Sequence, residues 1–158
     1  MTYTALTIAD EILRIGKKAG KSFTPMQLVK LTYIAHGWAL AVLNRDLFPD
    51  RIEAWKYGPV IPSLYHATKN FGASVIPKEL IDTEKQNSVD ADTFAFLEDV
   101  VKKYGDLSAY SLSSLTHQTG TPWDQVFVEN VKSIEIPDEI IEKHYREKLD
   151  DYKRSTAA

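Results

Sequence analysis

The chain has 158 residues with 44% hydrophobic and 26% charged content, a formal net charge of -3 and no cysteine. These values exclude a disordered chain, disulfides and thiolate metal sites, and they lack the basic footprint of a phosphate-contacting protein, so nucleic acid is not an expected partner. The length suits a single domain, residues 1–158 with its core over about 8–152, and no stretch approaches the roughly 20 apolar residues that span a bilayer, so a cytoplasmic, membrane-free location is expected.

In chain order, Ile8, Ile12 and Ile15 recur at helical spacing behind Thr7, which is read as the cap, with Asp10 and Glu11 toward the positive end; this first helix stops at Gly20. A second start follows. Thr24 is placed as N-cap, Pro25 at the first helical position and Gln27 as the reciprocal partner of a capping box, with Phe23 stapling onto Leu28. That helix is predicted to reach about Leu43 and to carry Leu28, Leu31, Ile34, Ala35, Trp38 and Val42 on one stripe. Arg51 to Trp55 alternates as a short strand, and Lys56-Tyr57-Gly58-Pro59 turns the chain.

A third helix is predicted from Ser63 to Phe71, ended by Gly72. Residues 73–90 read as a polar surface connection with room for one short helix or strand. Phe94, Leu97, Val101 and Tyr104 mark a fourth helix, Ser108 to about Gln118 a fifth, and the Thr121-Pro122-Trp123-Asp124 start a sixth. Ser133 to Ile136 is extended, and a last helix from Pro137-Asp138 presents Ile141, Tyr145, Leu149 and Tyr152 before a frayed tail at Ser155 to Ala158. The expected fold is therefore mainly α, a compact globule of about six or seven helices with a small β element of short strands.

No sequence pattern specifies a reaction. His36, His66, His117 and His144 lack paired ligand spacing, so no metal is assigned, and the scattered glycines make no phosphate loop or dinucleotide fingerprint, so no cofactor is assigned. A hydrolase constellation could be drawn from Ser113 or Ser114 with His117 and Asp124, and an acid–base pair from Glu53 and His66. Neither has a nucleophile elbow or a cofactor motif beside it. His36 and His144, beside apolar stripes, are read as packing residues.

The order of motifs is more specific than any one of them. The capped run Thr24-Pro25-Met26-Gln27-Leu28-Val29-Lys30-Leu31-Thr32-Tyr33-Ile34-Ala35-His36-Gly37-Trp38 precedes Leu47-Phe48 and then Ile52-Glu53-Ala54-Trp55-Lys56-Tyr57-Gly58-Pro59-Val60. Tyr104-Gly105, Ser108-Ala109, Leu112-Ser113, Leu115-Thr116-His117 and Pro122-Trp123 follow in order. Together they resemble the Panacea domain, also called the SocA-like or GepA-like antitoxin domain, over about Ile8 to Tyr145. Thr32 and His36 depart from the family's usual residues there. The resemblance implies an antitoxin, in bacteria or their phages, that neutralises a cognate toxin encoded beside it by direct protein contact and is not an enzyme. Some relatives imply instead an adaptor that delivers the toxin to a AAA+ protease.

The residues expected to carry such contact are Trp55, Lys56, Tyr57, Gly58 and Pro59 at the turn, with His117 and Trp123. Large amphipathic aromatics beside turn-forming residues offer rigid contact area, and packing in the core is the competing role for each. Gly58 supplies backbone freedom and Pro59 a fixed exit. Lys17, Lys18 and Lys21 suit the negative end of the first helix and need no nucleic acid to explain them.

Overall fold

Ten consecutive residues of one helix, Leu28 to Gly37, are all buried, and the rest of the described chain is arranged around them. The structure, a computed structural model, describes residues 3–77, 80 and 89–157. In chain order these form α1 (Ala5–Lys18), α2 (Pro25–Val42), β1 (Glu53–Trp55), β2 (Gly58–Val60), α3 (Pro62–Thr68) with a 3-10 turn at Lys69–Phe71, α4 (Ala91–Tyr104), α5 (Ala109–Thr116), α6 (Pro122–Val126), β3 (Ile134–Glu135) and α7 (Asp138–Ala157). The mainly helical fold with a small β element is as the sequence predicts. Among the described residues, no helix is long and apolar enough to cross a membrane.

The start of α2 follows its sequence cues. Thr24 Oγ1 accepts from Gln27 N at 3.3 Å while Gln27 Oε1 accepts from Thr24 N at 2.9 Å, closing the capping box, and Phe23 and Leu28 are both buried. The single-stripe reading is corrected. The helix lies between α1, α4, α5, α7 and the β-hairpin, so it is buried all round except at points such as Val42, which is exposed. Burying each large aliphatic side chain stabilises the fold by roughly 1.5–3 kcal/mol, and α2 supplies five of them, Leu28, Val29, Leu31, Ile34 and Leu40.

Other boundaries shift for physical reasons. The cap of α1 is Thr4, not Thr7: Thr4 Oγ1 accepts from Thr7 N at 3.1 Å. Asp10 and Glu11 do not sit at the exposed positive end; both are buried and meet Arg14, at 2.7 Å and 3.3 Å. The third helix begins one residue earlier, at Pro62, and tightens to a 3-10 turn for its last three residues before Gly72 at φ 60°. The connection over 73–90 is not purely a surface one, because Ile76 and Val89 are buried and Leu80 N donates to Asp10 Oδ1 at 2.6 Å. The short element expected inside it, and the run Asp82 to Asn87, lie outside the described residues. At the other end, α7 extends through the expected tail to Ala157.

The sheet has the order β2-β1-β3, antiparallel throughout. Trp55 pairs with Gly58, so Lys56 and Tyr57 alone form the loop and Gly58 and Pro59 belong to the second strand. Glu53 and Ala54 pair on their other side with Glu135 and Ile134, and Ile136 N donates to Ile52 O at 2.8 Å. The sheet thus ties the middle of the chain to the entry of α7.

Candidate functional site: a supported hairpin tip

The predicted contact residues converge on one place. Trp123 Nε1 donates to the carbonyl of Trp55 at 2.5 Å, and Ser113 Oγ donates to the carbonyl of Tyr57 at 2.8 Å. The His117 ring meets the edge of Trp123 at 5.3 Å between centroids, and Trp123 stacks on Phe127 at 4.5 Å. Segments far apart in sequence, the β1–β2 hairpin, the end of α5 and the short α6, therefore build one platform. Its tip is polar and projects: Tyr57 is 63% exposed, Lys56 is exposed, and the Lys56 ammonium lies 5.6 Å from the Tyr57 ring centroid.

Not every predicted residue faces outward. Gly58 and Pro59 are buried, and Trp55, His117 and Trp123 are half-buried. Trp55 packs edge-on against Tyr65 at 4.9 Å, and its Nε1 donates to Glu53 Oε1 at 2.9 Å. Beside the tip runs an open groove of about 690 Å³ walled by Trp55, Lys56, Phe127, Val131 and Lys132.

Sequence reasoning missed the residue beneath the tip. Lys30, on α2, is 2% exposed, and its ammonium donates to the carbonyls of Tyr57 at 3.1 Å and Pro59 at 2.9 Å. Burial pushes this amine down to about 7 from 10.5. A signal was available: Lys30 stands between Val29 and Leu31 and one helical turn before Ile34, on a run otherwise apolar, where an unpaired lysine would be costly. Gly58 completes the fit. Its φ is +116°, and a Cβ there would stand 2.8 Å from Lys30 Nζ, so only glycine lets the amine reach the strand.

The catalytic constellations do not assemble. Ser113 Oγ is committed to the Tyr57 carbonyl. His117 Nδ1 lies 2.6 Å from the Ser113 carbonyl and only 3.5 Å from its Oγ; since a carbonyl can only accept, Nδ1 carries the proton and is no base for that serine. Asp124 accepts from Gly120 N at 2.9 Å instead of orienting the imidazole. Ser114 contributes its carbonyl to His117 N. Glu53 is occupied by Trp55 and by Arg51, whose Nε stands 2.8 Å away. Burial acts to raise the Glu53 carboxyl, but the hydrogen bonds from Trp55 and Arg51 and the nearby charges of Arg51 and His66 outweigh it and hold it below its usual value. That is the arrangement of a structural ion pair. His36 packs as expected, stacked on Phe48 at 4.3 Å with Nε2 2.9 Å from Asp138 Oδ1. Among the described residues, no group of three or more His, Asp or Glu side chains could hold a metal ion.

Residues 28–124 match the family described as "Antitoxin SocA-like, Panacea domain". The chain belongs to this family. Antitoxin SocA of Caulobacter vibrioides (strain NA1000 / CB15N) is 32% identical over 130 residues, which cover 77% of this chain and 69% of that protein. No solved structure matches the chain. The Panacea match starts inside α2 and ends inside α6, so it encloses Lys30, the hairpin, Ser113, His117 and Trp123.

Proposed function

We propose that this protein is an antitoxin that neutralises a cognate toxin protein by direct contact, through the Lys56-Tyr57 tip and the half-buried aromatics that support it. The observation that carries the reading is that the span matching the antitoxin family, 28–124, encloses the tip and, Phe127 aside, the side chains that support it. The physical support is the tip's composition. An exposed tyrosine held on a fixed backbone supplies contact area at little cost in conformational entropy, which is what interface anchors do. Trp55 and Trp123 contribute by packing beneath it, while Gly58 and Pro59 shape the backbone.

The test is co-purification with the product of the neighbouring reading frame, coupled to rescue of growth when that product is expressed. Purified components with no protease present should form a stable complex, and rescue should be lost when the tip is altered in a chain that circular dichroism shows to be folded. Rescue that needs a AAA+ protease would convert the role to an adaptor. Neither complex nor rescue would end the antitoxin reading.

A further inference from the structure

A two-residue hairpin loop on a three-residue strand is short of internal restraints, and its direction must be set from outside. In this protein the outside restraint is concentrated on two backbone oxygens. The carbonyls of Tyr57, in the loop, and Pro59, in β2, are both turned toward α2, where one side chain reaches them. Lys30 Nζ lies between them, at 3.1 Å and 2.9 Å, and Ser113 Oγ reaches the first from α5 at 2.8 Å. Pro59 has no N–H, so the outer edge of β2 carries no donor at that position.

We infer that Lys30 is a positioning residue that seals the outer edge of β2 and fixes the direction in which the Lys56-Tyr57 tip is presented, so that the toxin is met by side chains of the tip and not by strand addition at β2. Its bearing on the toxin rests on the neutralising role proposed above; the sealing itself does not. Strand addition needs a row of free carbonyls and N–H groups. Here one carbonyl is taken twice, the next once, and proline removes the donor. The ammonium is rooted in α2, the most buried helix of the fold, so the tip inherits the rigidity of the core. Gly58 is coupled to the same device, since a Cβ would stand 2.8 Å from Nζ and 3.5 Å from Thr116 Oγ1.

The experiment compares the wild-type chain with Lys30→Met, Ser113→Ala and Gly58→Ala, each alone, and with the Lys30→Met, Gly58→Ala pair. Folding is checked by circular dichroism, the free protein by amide hydrogen exchange over residues 55–58, and the complex by affinity for the cognate toxin. Folded Lys30→Met should exchange about tenfold faster at the hairpin and bind about tenfold more weakly, as expected for the loss of two hydrogen bonds from one donor. Gly58→Ala should cost less in the Lys30→Met background than alone, because the clash partner is gone. If Lys30→Met does not fold, Ser113→Ala, which removes only one donor, should still accelerate hairpin exchange. Unchanged exchange in the folded variants, or additive losses in the pair, would overturn the positioning role. A wild-type chain that binds no toxin while its hairpin exchange depends on Lys30 would remove the neutralising role and leave the sealing intact.

Discussion

The two flanks of α2 handle buried polarity in opposite ways. Toward α7, Gly37 admits the Tyr145 ring so closely that a Cβ would lie 2.3 Å from it, and Tyr145 sits edge-on to Tyr33 at 6.4 Å and to Trp38 at 5.2 Å. The Tyr33 hydroxyl is buried with no hydrogen-bond partner among the described residues, and burial pushes its titration up. Toward the hairpin, a far more costly group, the Lys30 ammonium, is buried too, but it meets two carbonyls. Around Tyr145 the packing is aromatic interdigitation, in which one unsatisfied hydroxyl is tolerable, and the polar contacts of that flank, His36 with Asp138 and Arg146 with the Leu40 carbonyl, lie to either side of it. On the second flank the polar group is what fixes the position of a backbone. One flank secures the fold and the other aims the tip.

The comparison breaks most sharply at its two glycines. Gly37→Ala should be the most damaging change to stability, about 3 kcal/mol, because the buried Tyr145 ring has no space to move into. Urea denaturation should show the lower midpoint, while toxin affinity of the fraction still folded stays near wild type. Gly58→Ala should lower stability less, about 2 kcal/mol, from the left-handed backbone and the contact with Lys30. Its effect on toxin affinity should be the larger of the two. If Gly37→Ala abolished binding in a folded chain, the division between flanks would be wrong.

Much of this architecture was legible in the sequence because its signals are local. The capping box at Thr24 and Gln27 and the proline-started α6 depend on residues within one turn of each other. The α1 cap was misplaced by three residues because Thr4 and Thr7 are both acceptable caps, and the choice rests on a distant contact, Ala5 N donating to Asp50 Oδ1 at 2.9 Å. At the site, Trp55, Tyr57 and Trp123 could be nominated as large aromatics beside turn-forming residues and His117 from the family's motif order, but their roles could not. Whether an aromatic faces solvent or a neighbour depends on the approach of α5 and α6 to the hairpin, and Lys30 belongs to the site only through carbonyls 27 and 29 residues downstream.

Lys30 makes a pH-dependent contribution to stability in the neutral to mildly alkaline range. The folded amine titrates near 7 and the unfolded one near 10.5, with burial as the cause. Between these values the unfolded chain binds more protons, so this group's contribution makes the fold more stable as pH rises. Below 7 both states are protonated and the full cost of the buried charge is present. Thermal or urea unfolding should show a gain of about 2 kcal/mol from pH 7 to 9, at roughly 1.36 kcal/mol per pKa unit of difference and allowing for other groups. Lys30→Met should remove that slope. Tip presentation should persist across the window, since a neutral amine still has two N–H groups for two carbonyls.

The smallest effect on stability is expected at the tip itself. Tyr57 is 63% exposed; apart from the Lys56 ammonium 5.6 Å from its ring centroid, its described contacts act on its backbone carbonyl, through Lys30 and Ser113. Tyr57→Ala leaves that carbonyl and both donors in place, so the unfolding free energy should stay within about 0.5 kcal/mol of wild type. Toxin affinity should nevertheless fall by about 2 kcal/mol, the scale of an aromatic anchor at the centre of an interface. Titration calorimetry on Tyr57→Ala and Lys30→Met separates what the anchor contributes by contact from what its support contributes by aiming it. If the two losses are alike and do not add in the double variant, the tyrosine binds only when the lysine holds it; if they add fully, the tip and its support act on the toxin independently, and the two flanks of α2 differ in chemistry without differing in purpose.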